Sequence, residues 1–88
     1  MFNNRRSEIE IVGEILKISL NGARKTEILY QGNLSFTQLQ SYIPFLVEKQ
    51  ILEESLVKSN GSSYKLYNVT NKGMVLLEDI NRILKHFN

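Results

Sequence analysis

None of the chain's 88 residues is a cysteine, so it can form neither a disulfide nor a thiolate metal site, and it has no thiol nucleophile. The single histidine, His86, stands near the end with no carboxylate or cysteine constellation, and no metal or catalytic role is expected of it. There is no glycine-rich phosphate loop, and no Ser/His/Asp set can be assembled. Glu53-Glu54 reads as a charged strand start, not as a paired general acid and base. An enzyme is therefore not expected, no cofactor is implied, and no small-molecule ligand is evident. No apolar run approaches the roughly 20 residues a membrane span needs, and the start carries no secretory hydrophobic region. An intracellular, cytoplasmic protein without a membrane partner is the expectation.

Charge of one sign is also scarce. Lys and Arg number 11 against 9 acidic residues, a net charge of +2, which tolerates nucleic-acid binding without arguing for it. What is present is ordinary globular material, 42% hydrophobic and 23% charged. A chain this short makes one domain that buries only about 60–65% of its unfolded surface, so a second copy of the chain is a reasonable partner.

Residues 1–6 read as a flexible basic arm carrying Arg5 and Arg6. Ser7 and Glu10 form a capping box that starts a first helix, expected to run to Ser19 or Leu20. Ile9, Val12, Leu16 and Leu20 make one apolar stripe on it, with Ile11, Ile15 and Ile18 beside it, more apolar surface than one small core needs. Asn21-Gly22 stops this helix. A short second helix follows from Lys25 or Thr26 to Tyr30, with Ile28 and Leu29 inward. Gln31-Gly32-Asn33 turns the chain and Leu34 plugs the turn, so that two helices joined by a tight glycine-containing turn give the helix-turn-helix pattern.

The third helix opens with a further capping box, Ser35 with Gln38, and spans Ser35 to Lys49. Leu39, Tyr42, Ile43, Leu46 and Val47 share its inner face; Thr37, Ser41, Pro44 and Glu48 lie opposite, flanked by Gln38, Gln40 and Phe45. Pro44, the only proline, is expected on the exposed side with a mild kink. A helix starting late, with Ser41 as its cap and Pro44 in the first turn, is the alternative.

After Ile51 the pattern alternates, and Asn60-Gly61 is a strong hairpin signal, since both central residues of a type I′ turn take positive φ. The expected strands are Leu52–Lys58 and Tyr64–Val69, with Ser59, Ser62 and Ser63 lengthening the tip and Leu56, Tyr67 and Val69 inward. Thr70 caps a last helix from Asn71 to about His86. Its Leu76, Leu77, Ile80, Ile83, Leu84 and Phe87 cover about half the circumference, wider than the roughly 100° stripe one core face needs. One seam is expected on the first helix and the other on a second subunit, with Ile11 and Ile15 of the first helix joining the dimer interface.

Several stretches carry a resemblance: Gly22-Ala23-Arg24-Lys25-Thr26-Glu27-Ile28-Leu29-Tyr30, Asn33-Leu34-Ser35, Gln38-Leu39, Tyr42, Leu46, Glu48-Lys49 and Tyr67-Asn68-Val69-Thr70-Asn71-Lys72-Gly73. With this order of elements the chain resembles, over about residues 7–85, the small archaeal winged-helix proteins, which include the ten-kilodalton Sulfolobus DNA-binding proteins that dimerise through a C-terminal helix. The resemblance implies a mainly α fold with a small β-hairpin, in the order helix-helix-helix-strand-strand-helix. Residues 7–70 would form the winged helix-turn-helix and residues 71–88 the C-terminal dimerisation helix. It further implies a homodimeric, nucleoid-associated DNA-binding protein, either a transcriptional regulator or a chromatin-type protein. Gln50 stands where the family usually has the glycine that ends the third helix.

On that reading the third helix enters the major groove of double-stranded DNA, and Thr37, Gln38, Gln40 and Ser41 in its N-terminal half reach base edges, with Ser35 at its cap. No Arg or Lys precedes Lys49 on this helix, which favours modest sequence selectivity. Arg24 and Lys25, helped by Thr26, are the expected backbone clamps, and Lys58, Asn60, Ser62, Ser63 and Lys65 would bring the wing to adjacent phosphate. Arg5 and Arg6 are either a minor-groove arm or a frayed terminus. Two plainer readings stand beside these: a solvated helix face with a solubilising hairpin, and a winged helix used only for protein association.

Overall fold

A computed structural model describes residues 6–87, so the Met1–Arg5 part of the basic arm, Arg5 included, and Asn88 fall outside the described residues. Four helices and one hairpin follow in the order α1 (Glu8–Ile18), α2 (Lys25–Gln31), α3 (Phe36–Glu48), β1 (Leu52–Ser59), β2 (Ser62–Val69) and α4 (Asn71–Lys85). This is the winged-helix order expected from the sequence.

The caps do what their residues dictate. Ser7 Oγ accepts from Glu10 N while Ser7 N donates to Glu10 Oε1, both near 3.1–3.2 Å. Ser35 and Gln38 repeat the arrangement at the start of α3, with Ser35 N 2.9 Å from Gln38 Oε1. The helix is continuous from there to Glu48 with Pro44 inside it and exposed, which removes the late-start alternative. Gly22 takes φ +88° just after α1, the left-handed geometry that ends a helix without a Cβ penalty.

The core gathers Ile11, Ile15 and Leu16 of α1, Ile28 of α2, Leu34 of the turn, Leu39, Ile43 and Leu46 of α3, Leu52 and Tyr67 of the hairpin, and Leu77 of α4. Here α1 departs from its sequence pattern. The buried stripe is Ile11, Ile15 and Leu16, while Ile9 and Leu20 are left exposed and Val12 and Ile18 half-buried. The crossing of α4 decides this: Gly13 lies so close to it that a Cβ there would stand 3.0 Å from Ile80 Cγ2.

The same packing corrects half of the expected dimer seam. Ile11, Ile15, Leu77 and Ile80 are at most 6% exposed within one chain, so their side chains have no surface to offer a second subunit. Leu76 and Leu84 are half-buried, and Ile83 and Phe87 exposed. One face of α4 is thus spent on α1, as a small body with few helices requires.

The wing is longer and tighter than its serines imply. Ser59 pairs with Ser62, so the strands run to the two-residue turn Asn60-Gly61 itself, where φ is 49° and 80°. Ser59, Ser62 and Ser63 belong to the ladder, because a type I′ turn matches the strand twist and lets pairing continue to the tip. Leu56 was expected inward but is 59% exposed. It shares a face with Leu52, as alternation demands, yet lies beyond the reach of the helices, opposite Lys65.

Candidate nucleic-acid interface

Three elements compose the surface: the outer face of α3, the start of α2 and the hairpin. Thr37, Gln40 and Ser41 are exposed on α3, followed by Pro44 and Phe45 on the same outer side. Ser35 and Gln38 are differently placed. Their oxygens are engaged in the cap, and Gln38 is half-buried, so the cap holds them against the helix start. Thr26, Lys58, Asn60, Ser62 and Ser63 are exposed. No lysine or arginine lies on α3 itself.

The positions of Arg24 and Lys25 follow from one backbone pair. Ala23 N donates to Tyr67 O at 2.9 Å and Tyr67 N donates to Ala23 O at 2.8 Å, which lays the segment before α2 along the free edge of β2. Successive side chains of an extended segment point to opposite sides of a sheet. Ala23 and Tyr67 share the side facing the core, so Gly22 and Arg24 take the other. A Cβ at Gly22 would indeed meet Leu66 Cδ2 at 3.0 Å on that outer side.

There the Arg24 guanidinium lies over the Tyr64 ring, with Cζ 3.6 Å from its centroid, close enough for face-to-face stacking. Lys25, at the first position of α2, sits on the core side, its Nζ 6.0 Å from the Tyr67 ring centroid. The two expected clamp cations are therefore carried to opposite faces of the hairpin.

On the core side a small polar network forms. The Tyr67 hydroxyl donates to Glu54 Oε1 at 2.7 Å, and Lys65 Nζ pairs with the same oxygen at 3.6 Å. That hydrogen bond, aided by Lys65 and Lys25 and opposed by partial desolvation, holds the Glu54 carboxyl below the usual carboxylate range. Burial first, and then Glu54, push the Tyr67 hydroxyl well above the ordinary tyrosine value. Lys65 is thus partly neutralised by Glu54, whereas Lys58, one step nearer the tip on that side, carries no ion pair among the described residues.

Arg6 is held against the helix-turn-helix. Its two terminal nitrogens donate to Gly32 O at 2.8 Å and Asn33 O at 2.9 Å, satisfying carbonyls after α2 where Asn33 takes φ 52°. Sequence reasoning missed this role and those of Tyr64 and Glu54. Strand parity counted from Asn60-Gly61 puts Tyr64 on the side away from Tyr67, but only the Ala23–Tyr67 pair says that Arg24 joins it.

The comparisons with known proteins agree with this architecture. A family model described as winged helix-turn-helix matches residues 5–87. Uncharacterized protein MJ0290 of Methanocaldococcus jannaschii is 33% identical over 92% of this chain, and the chain spans 35% of that protein's length. Uncharacterized protein MJ0287 of the same organism is 35% identical over 76% of this chain and 79% of its own length. Among solved structures, Sso10a-2, a DNA-binding protein from Sulfolobus solfataricus, superposes with a TM-score of 0.74 at 26% identity, covering 91% of this chain and 80% of that one.

Proposed function

The chain belongs to the winged helix-turn-helix family, and on that premise we propose that it binds double-stranded DNA as a homodimer, as a transcriptional regulator or a chromatin-type protein of the nucleoid. One observation carries the reading. The exposed Thr37, Gln40 and Ser41 face of α3 is uncharged and rich in hydrogen-bonding groups, and the two elements that pack beside it, α2 and the hairpin, bring Arg24, Lys25 and Lys58. Cations on the flanks supply affinity through phosphates, and Gln, Ser and Thr at the centre meet base edges. Sso10a-2, the structure described above, is itself a DNA-binding protein. The role is non-enzymatic, and no helix among the described residues is long and apolar enough to cross a membrane.

Dimerisation uses the exposed Ile83 of α4 and Phe87 in the turn just beyond it, with the half-buried Leu76 and Leu84 at the margin. Leu76 and Ile83, seven apart, fall on one face of α4 and can match a second copy about a two-fold axis. Sedimentation equilibrium should give a dimer at micromolar concentration, and Ile83→Glu with Phe87→Glu should give a folded monomer.

The test of DNA binding is fluorescence anisotropy with a random duplex of about two helical turns, titrated at low and near-physiological salt. Affinity that falls steeply with salt supports the reading. A second reading, a winged helix used for protein association alone, draws on the apolar part of the α3 face, where Phe45 is 50% and Phe36 60% exposed. Absence of binding even at low salt would favour it.

A further inference from the structure

Arg24 does not reach solvent as a free side chain. Its guanidinium is stacked on Tyr64, a residue of β2 opposite Val57, 3.6 Å from ring centroid to Cζ. A guanidinium stacked by its face keeps its N–H edge open, because its donors lie in its own plane. Among the described residues no carboxylate forms an ion pair with it; the neighbouring Glu27 is occupied instead in accepting the Arg24 backbone N–H at 2.9 Å. Arg24 is exposed and Tyr64 half-buried in the ladder opposite Val57, so the ring is fixed while the charge stays in water. Lys25, one residue on, has no comparable support, its ammonium standing 6.0 Å from the Tyr67 ring centroid. An unsupported arginine loses rotamer freedom on being immobilised, and a side chain already stacked loses less on binding.

Resting on the DNA-binding reading above, we propose that Tyr64 is the positioning residue for Arg24: its ring holds the guanidinium edge-outward on the outer face of the wing as a bidentate donor to a DNA phosphate. The wing thereby acts on DNA through the clamp as well as through its tip. The stack also couples α2 to the hairpin, since displacing the wing displaces the arginine. Arg24 makes the contact, and Tyr64 acts only through it.

The experiment is a double-mutant cycle of Arg24→Ala and Tyr64→Leu, read by anisotropy of the duplex across a salt series, with Tyr64→Phe as the conservative control. Loss of one phosphate contact lowers the magnitude of the log K against log salt slope by about one. Arg24→Ala should show that loss, and Tyr64→Leu should show it too although it removes no charge. The double variant should match Arg24→Ala within about twofold. Tyr64→Phe, which keeps the ring, should bind with the parent slope. A weakened but parent-sloped Tyr64→Leu, or additive losses, would overturn the positioning role while leaving DNA binding in place. A parent protein that fails to bind would overturn both. Thermal unfolding of each variant separates a folding defect from a binding one, and an unfolded Tyr64→Leu alongside a folded Tyr64→Phe with altered slope would also count against the proposal.

Discussion

Thr70 Oγ1 donates to the carbonyl oxygen of Gln50 at 2.6 Å, joining the cap of α4 to the turn just after α3. The same hydroxyl lies 3.1 Å from Ile51 O and accepts the Gly73 N–H at 3.0 Å. Lys72 reinforces the junction, its Nζ donating to Lys49 O at 2.9 Å. Gln50 is held there at φ 60°, a left-handed conformation that costs a side-chain-bearing residue about 1–2 kcal/mol. Glycine's larger chain entropy offsets part of that. Gln50→Gly should therefore raise stability by roughly 0.5–1 kcal/mol. A higher urea midpoint with an unchanged m-value is the expected readout.

Gly73 sits where the same junction closes. A Cβ at this position would overlap Ile51 O and press on Val69 Cγ1. Because the obstacle is backbone, it cannot rotate away, and Gly73→Ala should cost on the order of 2–3 kcal/mol despite alanine's better helix propensity. An unchanged melting temperature would contradict this.

Ser19 is fully buried at the end of α1, and its hydroxyl has no hydrogen-bond partner among the described residues. A buried, unmatched hydroxyl is destabilising, and alanine is nearly the same size. Ser19→Ala should raise stability by about 1 kcal/mol. A lowered denaturation midpoint would mean that the hydroxyl is satisfied in solution.

Glu54 makes stability depend on pH in a definite direction. Its carboxyl titrates lower in the folded chain than in the unfolded one, chiefly because it accepts the Tyr67 hydroxyl. The unfolded state therefore binds the proton more readily. The contribution is present above the unfolded carboxylate value of about 4.3 and is lost as pH falls through the lower folded value. Glu54→Gln should remove it, so that acidification from pH 7 lowers the urea midpoint less in the variant than in the parent. Parallel acid profiles for the two proteins would show that the Tyr67 contact does not persist in solution.

How much was legible in the sequence varies with the range of the interaction. The caps at Ser7, Ser35 and Thr70, the Asn60-Gly61 turn and the inner face of α3 were all read correctly, because each is settled within one or two turns of chain. The tip serines and Leu56 were misjudged. Alternation specifies a side of the hairpin, and says nothing of how far the helices extend beneath it. That Arg24 and Lys25 leave the chain on opposite sides of the hairpin was illegible for a related reason: adjacent residues diverge once the chain is extended, and only the Ala23–Tyr67 bridge reveals that it is.

By itself, then, the sequence determined the order of elements, their boundaries to within a few residues and the outward polar face of α3, since local hydrogen bonding and the helical period act over short distances. Tertiary structure alone decided which apolar stripe of α1 meets α4 at Gly13, which α4 residues remain uncovered, and where the cations lie. It set Arg6 on the α2–α3 turn, Arg24 on Tyr64 and Lys65 on Glu54. Those placements depend on contacts between residues distant in the chain, in a body too small to bury every apolar face the sequence offers.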